Sequence, residues 1–391
     1  MIDVDQVRAD TQGIGHSTHL LACGSALMPT CVVEAVVAHT QLEAQIGGYE
    51  AQASQAELLD KVYRSVAGHI GASTQEIALM ENATVAWCHA FYALPLKPGS
   101  RILTCEAEYA ANYVAFLQRA KRDNLKIEVI PSDEAGALEL AALEEAMGDD
   151  VGVVAITWVP TNGGLVNPAA EVGRIANAHG VPYLLDACQA AGQMRIDVDE
   201  LGCDFLSATG RKYLRGPRGT GFLYIKDKWL DFLEPAMIDH FGAPWVARDK
   251  YELREDARRF ETWENSYALR AGLGAAIDYA DQIGIDQIND RVTFLAEEAR
   301  KALSEVSAVT VRDLGKSRCG IVSFSIEGFE TQSIVKQMAA SGYVIGASAP
   351  SSTRIDSERR NLPTLLRIAP HYYNTEAEVR GAVECLASLV R

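Results

Sequence analysis

The chain has 391 residues, 48% of them hydrophobic, with 52 acidic against 36 basic side chains and a formal charge of −16. That is enough apolar material for a large core and, as a prior, roughly two to three domains. Binding to nucleic acid needs a clustered basic face, which so acidic a chain does not offer. No apolar run reaches the length of a membrane span.

The start, "MIDVDQVRADTQG", is polar and acidic, with neither a positive leader nor an apolar run, so no signal peptide is expected. Eight cysteines are scattered without a C-x-x-C pair. They read as reduced thiols in a reducing, cytoplasmic setting.

In chain order, residues 51–70 carry Leu58, Val62 and Val66 at helical spacing and predict an amphipathic helix. "MENATVAW" (80–87) puts Asn82, Ala83 and Thr84 where a helix would begin. Free amides there can bind phosphate, or Asn82 is an ordinary N-cap. "KIEVIP" (126–131) and "VGVVAITWVP" (151–160) are β-branched apolar runs that suit buried strands. "AAEVGRIANAHG" (169–180) predicts a helix closed by Gly180, and "VPYLLDACQ" (181–189) and "FLSATG" (205–210) the next strands.

This alternation predicts an α/β fold with a mostly parallel sheet covered on both faces. Asn162, Asp186 and Lys212 all fall at or after strand ends, on the edge where such sheets bind ligands. The pattern changes near 250–260, where a charged segment without a strand (248–266) precedes two long helices (267–284 and 287–306). A strand (320–328), a helix (331–341) and a last strand and helix follow. We expect a large domain over 15–255 and a smaller α+β domain from 1–14 and 256–391.

Two residues stand out chemically. Asp186 closes an apolar strand, where a carboxylate is costly unless paired. It either bonds backbone amides or faces a cation. Lys212 follows the small residues Ser207, Ala208, Thr209 and Gly210, with Arg211 and Arg215 beside it. It is a surface lysine or a Schiff-base lysine whose amine is kept neutral by burial and neighbouring cations.

Taken together, these segments resemble the class V aminotransferases, pyridoxal-phosphate enzymes of fold type I. The group includes cysteine desulfurases, isopenicillin N epimerase and ergothioneine-pathway sulfoxide lyases. The motifs in order are "HLLACGSALMP" (19–29), "ENAT", "VPTNGGLVNP" (159–168), Asp186 with Gln189, Lys212, "RRFETWENS" (258–266) and "LLRIAPHYYNTEAEV" (365–379). The resemblance implies pyridoxal 5'-phosphate bound through Lys212, which would also shuttle the proton at the substrate Cα. It implies Asp186 on the ring nitrogen, Gln189 on the phenolic oxygen and Tyr109 over the ring face. Ala83, Thr84, Ser207 and Thr209 or Arg211 would cradle the phosphate. Asn162 maps to the cofactor and substrate side, and Arg367 would clamp the substrate α-carboxylate. The resemblance also implies a homodimer with shared active sites, "RGPRGTG" reaching the partner.

Four departures qualify it. Tyr109 stands where the family often has His, and Arg211 where His precedes the lysine. Trp263 and Glu264 break a Gly-Thr pair that would contact a partner-bound phosphate. The loop 346–363 holds no cysteine, although desulfurases need a mobile thiol there, and Cys319 and Cys385 read as small buried hydrophobes. The expected reaction is β-elimination at a C–S bond of an α-amino acid, with transamination or epimerisation as alternatives. A non-catalytic pyridoxal-phosphate-binding protein is the remote alternative; such sensors usually carry a basic DNA-binding module, and none is expected here.

Overall fold

The computed structural model describes residues 2–390. Seven strands form the central sheet: β1 (Ile77–Met80), β2 (Arg101–Cys105), β3 (Lys126–Ile130), β4 (Val151–Thr157), β5 (Tyr183–Asp186), β6 (Phe205–Thr209) and β7 (Gly221–Ile225). Their spatial order is β1-β7-β6-β5-β4-β2-β3, and only β7 runs antiparallel to its neighbours.

Both faces are buried, which is why these strands read as continuous apolar runs rather than alternating ones. Leu184, Phe205, Val153 and Leu223 pack on one face with Trp87, Phe91 and Phe116 of the helices Ala83–Ala93 and Ala110–Asp123. Leu185, Leu206, Val154 and Ile156 pack on the other with Val62, Val66 and Val172 of the helices Ala56–Ile70 and Ala169–Ala178. The α/β fold with a mostly parallel sheet is thus the observed one.

A four-stranded antiparallel sheet joins Val309–Val311, Val322–Ile326, Leu365–Ile368 and Gly346–Ser348 in that spatial order. Its core holds Phe324, Leu366 and Ile368 with Leu295, Met338, Val383 and Leu386 from the helices Ile285–Ser304, Thr331–Ala340 and Glu376–Leu389. Near the N-terminus, Thr18–His19 pairs in parallel with Tyr343–Val344.

Local signals explain several boundaries. Asn82 caps its helix by accepting from the Val85 amide at 3.0 Å. Gly180 has φ +64, the left-handed value a helix-closing glycine permits. Two expectations need correction. The helix expected over 51–70 is two helices, Gly48–Ser54 and Ala56–Ile70, broken at Gln55 where neither Gly nor Pro marks the sequence. The segment 248–266 does contain a strand: Lys250–Tyr251 pairs antiparallel with Trp245–Ala247, an exposed hairpin too short to show a pattern of its own.

Candidate active site

The site assembles at the carboxyl ends of β5 and β6, where Asp186 lies opposite Ser207 in register. Beyond Asp186 the chain turns, and the Cys188 amide donates to Asp186 Oδ1 at 2.9 Å. The other oxygen, Oδ2, accepts from Asn112 Nδ2 at 2.9 Å. Asp186 is 4% exposed and has no cationic partner among the described residues.

Lys212 sits three residues past β6 and is 9% exposed; its amine makes no ion pair among the described residues. Its turn is fixed from several sides. The Arg215 amide donates to the Lys212 carbonyl at 2.9 Å. Arg215 adopts φ +60, and its buried guanidinium donates to the Leu27 carbonyl (2.7 Å), the Tyr372 hydroxyl (2.8 Å) and Thr11 Oγ1 (2.6 Å). These bonds hold a non-glycine residue in a conformation it rarely adopts. Buried His371 donates through Nε2 to the Tyr213 carbonyl at 2.9 Å while Nδ1 accepts from the Tyr372 amide; burial keeps this imidazole neutral. Gly192, at φ +90, lets the chain after Gln189 pass against this turn, since a Cβ there would lie 2.3 Å from the Tyr213 carbonyl carbon.

The residues expected to cradle a phosphate lie at the start of one helix and at the end of β6. Ala83 and Thr84 begin the helix beyond β1, their amides pointing out of its N-terminus. Gly221 brings this end close: a Cβ there would lie 2.5 Å from the Ala208 oxygen and 3.2 Å from the Ala83 nitrogen. The Ser207 hydroxyl is buried with no partner. Thr209 Oγ1 instead donates to the Thr220 carbonyl, and the Arg211 guanidinium to the Gly24 carbonyl. Both side chains are thus engaged with neighbouring backbone.

Of the remaining expected site residues, Arg367 Nη1 donates to both Thr161 oxygens at 2.9 Å, while its Nε is buried without a partner. Gln189 Nε2 donates to the Cys23 carbonyl at 3.2 Å, and its Oε1 is a buried orphan. Asn162 is tied to the loop: Nδ2 donates to Thr353 Oγ1 at 2.8 Å, and Oδ1 accepts from Ser348. Tyr109 lies within the field of Asp186, Cys188, Arg211 and Arg367; burial, then the two acidic neighbours, raises its phenol above the ordinary value. Cys188 lies beside Lys212, Asp186 and Arg211, and burial pushes its thiol up to about 12.

Residues not expected from sequence surround this cluster. Glu108 and Asn112, four apart in "EAEYAAN" (106–112), lie behind Asp186 with Thr157. Their i, i+4 spacing at a helix start was the available signal. Arg215, expected as a cation beside Lys212, turns its guanidinium to Leu27, Tyr372 and Thr11 and anchors the lysine turn together with His371, a role nothing local to either marks.

These residues fit pyridoxal 5'-phosphate. The orphaned Ser207 hydroxyl and the helix start suit an anion, the cation-free Asp186 suits a protonated ring nitrogen, and the buried amine of Lys212 suits an aldehyde. A family model described as Aminotransferase class-V matches residues 18–381. A probable cysteine desulfurase of Methanothermobacter thermautotrophicus is 28% identical over 98% of each chain. Another, of Halalkalibacterium halodurans, is 30% identical over 78% of this chain and 76% of its own. The apo cysteine desulfurase from Thermococcus onnurineus NA1 superposes with TM-score 0.91 at 27% identity, over 100% of this chain and 98% of that one. The cystine C–S lyase C-DES, in complex with its product cysteine persulfide, superposes with TM-score 0.86 at 22% identity, over 96% and 98%. The chain therefore belongs to the class V aminotransferase family and is a pyridoxal-phosphate-dependent enzyme of fold type I.

Proposed function

We propose that the protein is a C–S β-lyase acting on cysteine or an S-substituted cysteine, releasing sulfur as a small product rather than onto a protein thiol. The names of its relatives support the sulfur amino acid. The observation that carries the second half is the loop 346–363. It contributes Ser348 and Thr353 to Asn162, leads directly to Arg367, and contains no cysteine. Cys23, Cys105, Cys203 and Cys319 are buried, whereas Cys385, expected to be buried, is half-buried because its helix packs only one face on the core. Cys188 lies in the site, but its raised thiol stays protonated at neutral pH and is a poor nucleophile.

The residues divide the work as follows. Bound pyridoxal phosphate supplies an electron sink for negative charge at the substrate Cα. Asp186 would hold the positive ring nitrogen, and Ala83, Thr84 and Ser207 would hold the phosphate. Arg367 clamps the α-carboxylate with the guanidinium edge not used by Thr161. Lys212 takes the Cα proton and delivers protons afterwards. Tyr109 would cover the ring face, Gln189 would bond the phenolic oxygen, and Asn162 would line the cofactor and substrate side. The overall balance is one S-substituted cysteine and one water giving one thiol, one pyruvate and one ammonium ion.

Thr84 and Tyr109 are exposed, as are Phe232, Met237, Trp245 and Trp263. A homodimer that closes the site accounts for these surfaces. Eight cysteines without a disulfide agree with a reducing, cytoplasmic setting, and no helix among the described residues is long and apolar enough to cross a membrane.

The test is to incubate the holoenzyme with cysteine, cystine and S-alkylcysteines without added keto acid. Pyruvate and ammonium should appear in equal amounts and vanish in Lys212→Ala, together with the visible absorption of the bound cofactor. Amino transfer that requires a keto acid, with no pyruvate from the sulfur substrate, would sink the lyase reading.

A further inference from the structure

Glu108 is 3% exposed and lies deep behind the site, between β2 and β4. Its Oε1 accepts from the Tyr109 amide (2.8 Å), Asn112 Nδ2 (2.9 Å) and the Thr157 hydroxyl. Its Oε2 accepts from the Thr157 amide (3.0 Å) and Thr104 Oγ1 (3.1 Å). All five donors are neutral. The titratable groups facing it are Asp186, through Asn112, and the Cys105 thiol, 3.9 Å away and itself raised by burial. No lysine or arginine pairs with it among the described residues.

Asn112 is the hinge of the arrangement. The same amide nitrogen is 2.9 Å from Glu108 Oε1 and 2.9 Å from Asp186 Oδ2. An amide presents two N–H groups, so one can point at each carboxylate. With both filled, the side chain cannot rotate without breaking a buried bond. Two buried carboxylates so joined, with no cation between them, are costly unless something positive arrives on the open side of Asp186.

We propose that Glu108 is a positioning residue for Asp186: through Asn112 it fixes the orientation of the Asp186 carboxylate and places a second negative charge behind it. The pair would then present a stronger, better-aimed anion to the ring nitrogen than Asp186 alone. This rests on the reading that Asp186 faces that nitrogen. Burial, opposed by the donors from Thr157 and Asn112, raises Glu108 to about 7, so the rear charge is present above neutrality and is lost below it.

The experiment is a thermodynamic cycle on cofactor affinity. The dissociation constant for pyridoxal 5'-phosphate, read by the absorbance and fluorescence of the complex, is measured from about pH 6 to about pH 9 for the wild type, Glu108→Gln, Asn112→Ala, Asp186→Asn and the doubles with Asp186→Asn. Above neutrality, Glu108→Gln and Asn112→Ala should each weaken binding about tenfold, and both should flatten its pH dependence. In the Asp186→Asn background neither should add more than about twofold, because the route to the ring nitrogen is already cut. Asn112→Ala keeps the test alive if Glu108→Gln does not fold. Full additivity with Asp186→Asn would show that Glu108 serves packing only and overturn the proposal. So would unchanged affinity in both single variants while Asp186→Asn weakens binding. An unchanged Asp186→Asn would instead remove the underlying assignment of Asp186.

Discussion

Two buried carboxylate clusters flank the central sheet, and they differ in one respect. Glu261, with a fully buried side chain, accepts from the Tyr63 hydroxyl at 2.9 Å and the Leu79 amide at 2.9 Å, and pairs with Arg270 at 2.8 Å. Its charge is cancelled where it stands. Glu108 and Asp186 are as well supplied with donors, but every donor is neutral. A paired buried carboxylate stitches Tyr63, Leu79 and Arg270 of separate elements together. An unpaired one stores negative potential, which marks a place for a cation from outside the chain.

Glu261→Gln leaves the Arg270 guanidinium buried without its partner and should cost about 3–5 kcal/mol in denaturant unfolding, while activity per folded molecule survives. A small loss of stability would mean that the two clusters are not of different kinds. Asp186→Asn should do the reverse, cutting turnover about ten- to a hundredfold through one charge-assisted bond while stability changes by less than about 1 kcal/mol. An unchanged turnover would make Asp186 structural too.

A third test uses pH. Burial raises Glu108 in the fold from 4.5 to about 7, so the folded chain binds more protons than the unfolded chain between those values. Its contribution to stability is therefore present below about 4.5 and is lost as pH rises through 7, an effect on the order of 3 kcal/mol. Comparing wild type with Glu108→Gln by urea unfolding at mildly acid and mildly alkaline pH should show the wild type losing ground as pH rises. A constant difference would mean that Glu108 titrates normally. Smallest of all, Cys188→Ala should change turnover less than about threefold, since its thiol is protonated and carries no step.

Much of this was legible in sequence, for physical reasons. Asp186 and Lys212 are charged residues set at or just after the ends of apolar strands, a cost that calls for a partner, while Arg367 was marked only by the motif it shares with the family. The helix start at Asn82 and its end at Gly180 carry their own chemistry. What stayed hidden depends on contacts across the chain. Asn112 meets Asp186 from 74 positions away, and Asn162 meets Ser348 and Thr353 from 186 and 191. Arg211 and Thr209 sit in the expected segment, yet their side chains turn to the Gly24 and Thr220 carbonyls, choices no local pattern records. The break at Gln55 lacks any helix-breaking residue.

In the proposed reaction sulfur leaves with the product and never resides on the protein. Intact-protein mass spectrometry during turnover with cysteine reads this directly. No added sulfur is expected on any of the eight cysteines, with turnover retained when Cys319 and Cys385 are replaced by alanine. A protein-bound persulfide on one cysteine, lost together with activity when that residue becomes alanine, would contradict the proposed reaction and restore a desulfurase mechanism.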